Sequence, residues 1–422
     1  MQLFLYNLGV FSYGFIIKLA AFFIPKAKKW IEGRKGWEES LQKATEHSSN
    51  WIWFHCASLG EFEMGRNLME ALKEKYPSKS IIITFFSPSG YDIRNNYKGA
   101  DYVCYLPLDT QKNATRFVEI LSPELVVFVK YELWHHYLKA VHEQHIPLLL
   151  ISARMRPSSP YFEGVLADLY AKTLRYFTAI FTQDTQTAEL LKKHTSHPQV
   201  IESADTRFDR VYATYERFEE IPEVAEFVGD RLCIVCGSTW PKAEQLLMES
   251  FQQISQTHDI CMILAPHEIH ESRIQQWVEK HPQTSIRHSQ MGELKPEHNI
   301  LWIDNIGMLS RLYHYADVAY VGGGWGTGLH NILEAVVFGK PVLFGPKHQK
   351  FPEAGEVIAR GGAFEVHDQA SLSSQLTTLL TQPELRAEIS RTNQEYVKSK
   401  TGATSQILNW CIKEVLSNDK QA

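Results

Sequence analysis

The stretch from Val321 to Pro346, VGGGWGTGLHNILEAVVFGKPVLFGP, constrains the fold of this chain more than any other. It reads as a strand end, a glycine-rich loop, a helix, a Gly-Lys-Pro turn and a second strand. Strands joined in this way run parallel, and a parallel sheet needs helices on its faces. Glycine tolerates positive φ and lets another group come close to the backbone. A helix opening near Leu329 would point its first unpaired N–H groups and its positive dipole end at the loop. That arrangement suits an anion, most simply a phosphate. Glu334 lies three residues after Asn331, on the same helical face, where a carboxylate can take two ribose hydroxyls. The same residues also fit a glycine-rich turn with a capping Asn and a surface Glu. The stretch alone does not choose between the two.

The rest of the chain repeats the alternation. WIWFHCA, SIIITFF, DYVCYLPLD, LVVFVKYELW, IPLLLISARM and TAIFTQD read as strands separated by helical stretches. A polar, acidic segment with Pro222 follows, and the pattern restarts through LCIVCGSTW, ICMILAP, NILWID, VAYVGGG and PVLFGP. The expected fold class is α/β, with two Rossmann-like, doubly wound parallel sheets. A length of 422 residues, too long for one typical core, agrees. The expected layout is an apolar, basic segment over 1–30, a first domain over 31–210, a linker over 211–230, a second domain over 231–400 and a helix over 401–422 packing back on the first domain. In such sheets ligands bind at the carboxyl ends of the strands.

Residues 3–24 are apolar and aromatic with Lys18 inside, and Lys26, Lys28 and Lys29 follow before the first acid, Glu32. A secretory signal carries its charge first and ends at a small-residue cleavage site, which this segment does not. Lys18 makes a full span marginal. The favoured expectation is a helix on or in a membrane surface, its lysines facing anionic headgroups; the competing one is a helix buried in the first domain. A net charge of -5 argues against a general nucleic-acid binder. Cys233 and Cys236 fall in a strand, where they point to opposite faces, and no second pair completes a zinc site. Scattered reduced thiols in a reducing compartment are expected.

Candidate residues follow the strands. Glu61, after Ser58 and Gly60, opens a helix; it can be a general base on a hydroxyl or simply a first-turn acid favouring the helix dipole. Glu132 in KYELW can pair with Arg154 or meet substrate hydroxyls. Arg154, Arg156 and Arg207 are candidate partners for a carboxylate or phosphate. In the second half, Ser238 and Thr239 offer donors for a phosphate, while Pro266-His267 and Asn305-Ile306-Gly307 can meet a base. His267 and His270 form H-x-x-H without an acidic third ligand, so no metal is expected. The mononucleotide P-loop and a dinucleotide fingerprint at the first turn are both missing.

HCASLGEFE, KYELW, ISARM, DTRFD, CGSTW, LAPHE, IDNIGML and YVGGGWGTGLHNILEAVVFGKPVLFGP, in this order, resemble the 3-deoxy-D-manno-octulosonic acid (Kdo) transferases of lipopolysaccharide synthesis. The resemblance covers essentially the whole chain. It implies a glycosyltransferase of GT-B arrangement, acting at the cytoplasmic face of the inner membrane. Its donor would be CMP-Kdo and its acceptor a lipid A precursor, with no cofactor, no metal and no nucleic-acid partner. It implies an inverting transfer with Glu61 as catalytic base. CMP contacts would fall on Pro266, His267, Asn305, Ile306, Gly307, Asn331, Ile332, Leu333 and Glu334. The Kdo carboxylate would need a cation, for which Arg154 and Arg207 are the candidates.

The chain departs from the family pattern in places. The family often has Pro-Arg where Pro266-His267 stand, Gly-Asn where Ala204-Asp205 stand, and Asn-Pro where Asn331-Ile332 stand. A histidine in place of an arginine makes that contact weaker and pH-dependent. The rival readings are another nucleotide-sugar transferase or a sugar-nucleotide epimerase of the same architecture, and a non-catalytic membrane-bound nucleotide-binding module. An epimerase would not need the apolar N-terminus, and a non-catalytic module would not need Glu61 or HNILE.

Overall fold

Seven strands form the first sheet: β1 (Trp51–Cys56), β2 (Ser80–Phe85), β3 (Tyr102–Tyr105), β4 (Leu125–Val129), β5 (Leu148–Ala153), β6 (Ala179–Thr182) and β7 (Val200–Glu202). Their order is β3-β2-β1-β4-β5-β6-β7, all parallel. β1 and β4 are buried along their whole length, which is why β4 reads as an unbroken apolar run and β1 as one interrupted only by His55. The computed structural model describes residues 1–416 except 198 and 327; the expected helix over 401–422 therefore lies partly outside the described residues. The sheet belongs to a unit comprising Met1–Asp209 and the chain from Thr401 onward, and Arg210–Lys400 form a second unit. Strand order reverses between β1 and β4, and ligands of such sheets bind at the reversal.

Four helices of this unit matter for the site: α1 (Gln2–Ala20), α2 (Pro25–Glu32), α3 (Trp37–Thr45) and α4 (Leu59–Lys75). The helix Ala403–Glu414 lies against α4 and sends Ile407 and Cys411 into the core beside β1. Asp209 holds its start by accepting the N–H groups of Gly402 and Thr404 at 2.5 and 2.6 Å.

α1 docks by one face. Tyr6, Val10 and Gly14 are buried, and their spacing of four puts them in one row. A Cβ on Gly14 would stand 2.8 Å from Leu108 Cδ2 and would push that side chain aside. Tyr6 donates its hydroxyl to Asp109 at 2.5 Å, and Asn7 Oδ1 lies 2.7 Å from His136 Nε2. Asp109 also accepts the N–H groups of His136 and Tyr137, capping the helix His135–Glu143. The opposite face exposes Phe4, Leu8, Phe11, Phe15, Ile16 and Leu19. Neither sequence expectation for this segment is complete: the helix is fastened to the unit along a narrow row and bare elsewhere. It is long and apolar enough to cross a bilayer by length and composition, though only 17% of that window is buried. After α2, Arg34 donates to the carbonyls of Trp30, Phe86 and Leu106 at 2.7 to 2.9 Å, tying the N-terminal helices to the ends of β2 and β3.

The second sheet contains β8 (Leu232–Thr239), β9 (Ile260–Pro266), β10 (Ser285–Arg287), β11 (Ile300–Trp302), β12 (Val318–Val321), β13 (Val342–Phe344) and β14 (Ala363–Glu365). All are parallel, in the order β10-β11-β9-β8-β12-β13-β14, with the reversal between β8 and β12. Both sheets are thus of the expected class. The segment 211–230 is mostly helical, over Thr206–Glu216 and Pro222–Val228.

One local expectation fails. The helix after β12 covers only Leu333–Val336 and does not open near Leu329. Residues up to Asn331 stay in a loop because the glycines there serve contacts between chain segments. A Cβ on Gly322 would fall 1.9 Å from Ser238 O, and one on Gly324 would fall 2.6 Å from Gly345 O. The loop is pressed against its neighbours after β8 and β13. Thr327 lies outside the described residues.

Candidate active site

In the first unit the strand ends at the reversal bring Glu61 and the KYELW run together. Ser58 caps α4 and Glu61 occupies its first turn, 8% exposed. The Ser58 hydroxyl donates to Glu61 Oε2. Lys130 Nζ lies 3.7 Å from Glu61 Oε1. Lys130 ends β4 with φ +73, a conformation that a non-glycine residue adopts at a cost and that clusters at functional sites. Its ammonium also lies 5.1 Å from the Tyr131 ring centroid. The arrangement fixes the carboxylate in place, with one hydroxyl donor and one cation at its two oxygens, as a general base requires. Gly60 lies within α4, where a Cβ would meet only Ser58 Oγ, at 3.7 Å.

The arginine expectations change. Glu132 does not pair with Arg154. It accepts the Trp134 indole N–H at 2.9 Å and lies 3.8 Å from His55 Nε2. Arg154 faces Asp184 at 3.6 Å. Arg207 is held by Asp205 through two bonds of 2.9 and 2.7 Å, and Arg156 is exposed. Both candidate cations for a substrate carboxylate thus already face acidic partners, and the cation beside Glu61 is Lys130. Sequence reasoning passed over it; the one available signal was a lysine at the end of a fully apolar strand.

In the second unit the expected residues line one edge of the sheet, after β11, β9, β8 and β12. Asn305 Nδ2 lies 3.1 Å from His288 Nδ1, Ile306 is 91% exposed and Gly307 has φ +102, so this turn projects from the end of β11. His267 donates its backbone N–H to Thr239 O at 3.0 Å, and His330 donates to Gly322 O at 3.1 Å. The first bond joins the ends of β9 and β8, and the second closes the loop after β12 on itself. Side chains from these segments form a stack: His267 and His330 rings lie 4.1 Å apart, and Trp240 covers His267 at 4.9 Å. Trp240 donates its indole N–H to His330 Nε2 at 3.2 Å, which leaves the His330 proton on Nδ1. Burial and then repulsion from His267 hold His330 down at about 4; burial also lowers His267. Neither Trp240 nor His330 was singled out from the sequence, although both stand inside quoted motifs.

The remaining donor-side residues divide by burial. Asn331 Nδ2 donates to Glu334 Oε1 at 3.1 Å, and Asn331 Oδ1 accepts the Leu333 N–H at 3.2 Å. Ile332 and Leu333 are buried in the core, so only their backbone faces the loop. Ser238 is left-handed, with φ +51, at a register shift of β8 against β9. Thr239 is fully buried, and its hydroxyl donates to Glu244 at 3.0 Å. It therefore serves the protein interior and not an anion. Among the described residues no group of three His, Cys, Asp or Glu can hold a metal ion.

Residues 34–210 match the model of a family described as 3-deoxy-D-manno-octulosonic-acid transferase (kdotransferase). Curated Kdo transferases align at 23–27% identity over most of the chain. The chain thus resembles the Kdo transferases over most of its length. It is similar to a bifunctional glycosyltransferase/methyltransferase of Fusobacterium nucleatum, 26% identical over 85% of this chain and 56% of that one. It thus spans little more than half the length of that relative. It is also similar to the 3-deoxy-D-manno-octulosonic acid transferase of Aquifex aeolicus, 27% identical over 78% of this chain and 86% of that one. Among solved structures, UDP-GlcNAc 2-epimerase from Neisseria meningitidis shares the fold, with a TM-score of 0.62 at 16% identity over 86% of this chain and 100% of that one. These matches indicate a glycosyltransferase.

Proposed function

We propose that this protein moves Kdo from CMP-Kdo to a glucosamine hydroxyl of a lipid A precursor, with inversion, at the cytoplasmic face of the inner membrane. The observation that carries the reading is the state of Glu61. It is a nearly buried carboxylate in the family-matched unit, with a hydroxyl donor on one oxygen and an ammonium near the other. Glu61 takes the proton of the acceptor hydroxyl as that oxygen bonds to the anomeric carbon of Kdo. The bond from that carbon to the CMP phosphate oxygen breaks on the opposite side, and CMP leaves with the electron pair. The carbon resembles an oxocarbenium ion on the way.

The second unit holds the nucleotide. Pro266 and His267 meet the base together with Asn305, Ile306 and Gly307. The Asn331–Glu334 pair takes the ribose. Ser238 and the backbone of residues 322–326 and 328–331 face the phosphate. Lys130 is the cation best placed for the Kdo carboxylate. The bare apolar face of α1, with Lys18, Lys26, Lys28 and Lys29, keeps the enzyme on an anionic membrane surface where its acceptor lies.

The test is transfer by the purified protein from CMP-Kdo to a tetra-acylated lipid A precursor, read by product mass, with Glu61→Gln alongside. Product should form with the wild type and fall by at least about a thousandfold in the variant. CMP affinity should stay unchanged. Substantial transfer by Glu61→Gln would sink the base assignment. Transfer from a different sugar nucleotide in place of CMP-Kdo would favour another transferase of the same architecture.

A further inference from the structure

We infer that the first unit contains a binding site for one hydrocarbon chain of the lipid acceptor, between α1 and the KYELW run. This rests on the reading of the acceptor as a lipid. A cavity of about 420 Å³ lies there, walled by Gly9 and Tyr13 of α1 and by Phe86, Leu108, Leu133 and Trp134 on the other side. Its size is that of a small-molecule site.

The chemistry of the lining selects the occupant. Glu132 is its one charged member. Three of the polar donors on the wall are already used inside the protein. Trp134 donates its indole to Glu132 at 2.9 Å, Tyr6 its hydroxyl to Asp109 at 2.5 Å and Tyr161 its hydroxyl to Tyr131 O at 3.1 Å. A polar ligand would find those donors committed, whereas a hydrocarbon needs only the apolar surface. Gly9 keeps the space open: a Cβ there would meet nothing within 4 Å.

Two continuities point to the acceptor's own chain. The helix forming this wall exposes Phe4, Leu8, Phe11 and Phe15 on its outer side, so one element borders both the cavity and the apolar face that meets lipid. At the other end, Tyr131 and Glu132 line the cavity next to Lys130, whose ammonium is 3.7 Å from Glu61. A chain held here places the polar end of an amphiphile beside the reacting carboxylate.

Gly9→Leu fills the space from a helical position that tolerates leucine. With the full-length protein, it should raise KM for the tetra-acylated acceptor about tenfold, the loss of roughly two buried methylenes. The penalty should vanish on an acceptor from which that chain has been removed. Independently, 12-bromododecanoate should quench Trp134 saturably in the wild type, identified as the signal lost in Trp134→Phe, and the tetra-acylated acceptor should displace it. Normal acceptor KM and normal quenching in Gly9→Leu would overturn the site. Quenching by brominated phospholipid vesicles that the acceptor fails to displace would assign the cavity to bulk lipid and overturn the proposed occupant. Failure of the wild type to transfer Kdo to any lipid acceptor would instead remove the underlying reading, while the quenching still reports on the cavity.

Discussion

Lys130 Nζ stands 3.7 Å from Glu61 Oε1, across the point where strand order reverses in the first sheet. The lysine reaches that place through a left-handed backbone, φ +73, at the end of β4. In the proposed reading it supplies a positive charge for the anionic sugar of the donor. Lys130→Met should lower kcat/KM about tenfold to a hundredfold, mainly through a higher KM for CMP-Kdo, and Lys130→Arg should recover part of the loss. An unchanged KM for CMP-Kdo in Lys130→Met would mean the lysine does not meet the donor sugar.

The Asn331–Glu334 pair makes a separate prediction on the donor side. Glu334→Ala removes the carboxylate and leaves the Asn331 amide without that acceptor, 3.1 Å away in the native protein. CMP affinity, measured by calorimetric titration, should fall about tenfold, as expected for losing a hydrogen bond to a charged group. An unchanged Kd would count against the ribose contact.

The stacked histidines make stability depend on pH. His330 sits at about 4 instead of its ordinary 6.5 because burial, and then His267, disfavour its charged form. Its native value lies below its unfolded one. The contribution is therefore present above pH 6.5 and is lost as pH falls toward about 4. Thermal unfolding followed from about pH 7 to about pH 4 should show a steeper loss in the wild type than in His330→Gln. Parallel curves would show that the stack does not titrate as described.

Tyr6 and Asp109 govern the docking of α1. Burial pushes the Asp109 carboxyl up to about 6, against the lowering effect of the Tyr6 hydroxyl. Tyr6→Phe should weaken the docked state by about 1–3 kcal/mol. The loss should be larger above pH 6, where the bond is to a carboxylate, than below it. Hydrogen exchange of the α1 amides reads the effect, and protection equal to wild type at pH 8 would refute it.

The parts of the fold legible in the sequence were those with buried strands. β1 and β4 are covered on both faces, so nearly all of their side chains are apolar, and the alternation with helices follows from a parallel sheet. Glu61 could be placed because a strand, a small-residue turn and a helix start are adjacent in sequence. The glycine loop was harder. Its residues suggested an open anion cradle, yet Gly322 and Gly324 admit Ser238 and Gly345 from neighbouring loops. That crowding displaced the helix start to Leu333.

The pairing of charges was illegible for a related reason. Arg154 meets Asp184 and Glu132 meets His55 because strand neighbours come from distant parts of the chain. The same holds for the Trp240, His267 and His330 stack, assembled from the ends of β8, β9 and β12. The sequence by itself determined the two parallel sheets, the sheet edges that carry the candidate residues and the Kdo transferase resemblance, since these follow from local apolar periodicity and contiguous motifs. Tertiary structure alone decided which cation faces Glu61, which hydroxyl is committed inside the protein and which side of α1 stays bare. Those outcomes depend on competition among side chains that meet only once the sheets have formed.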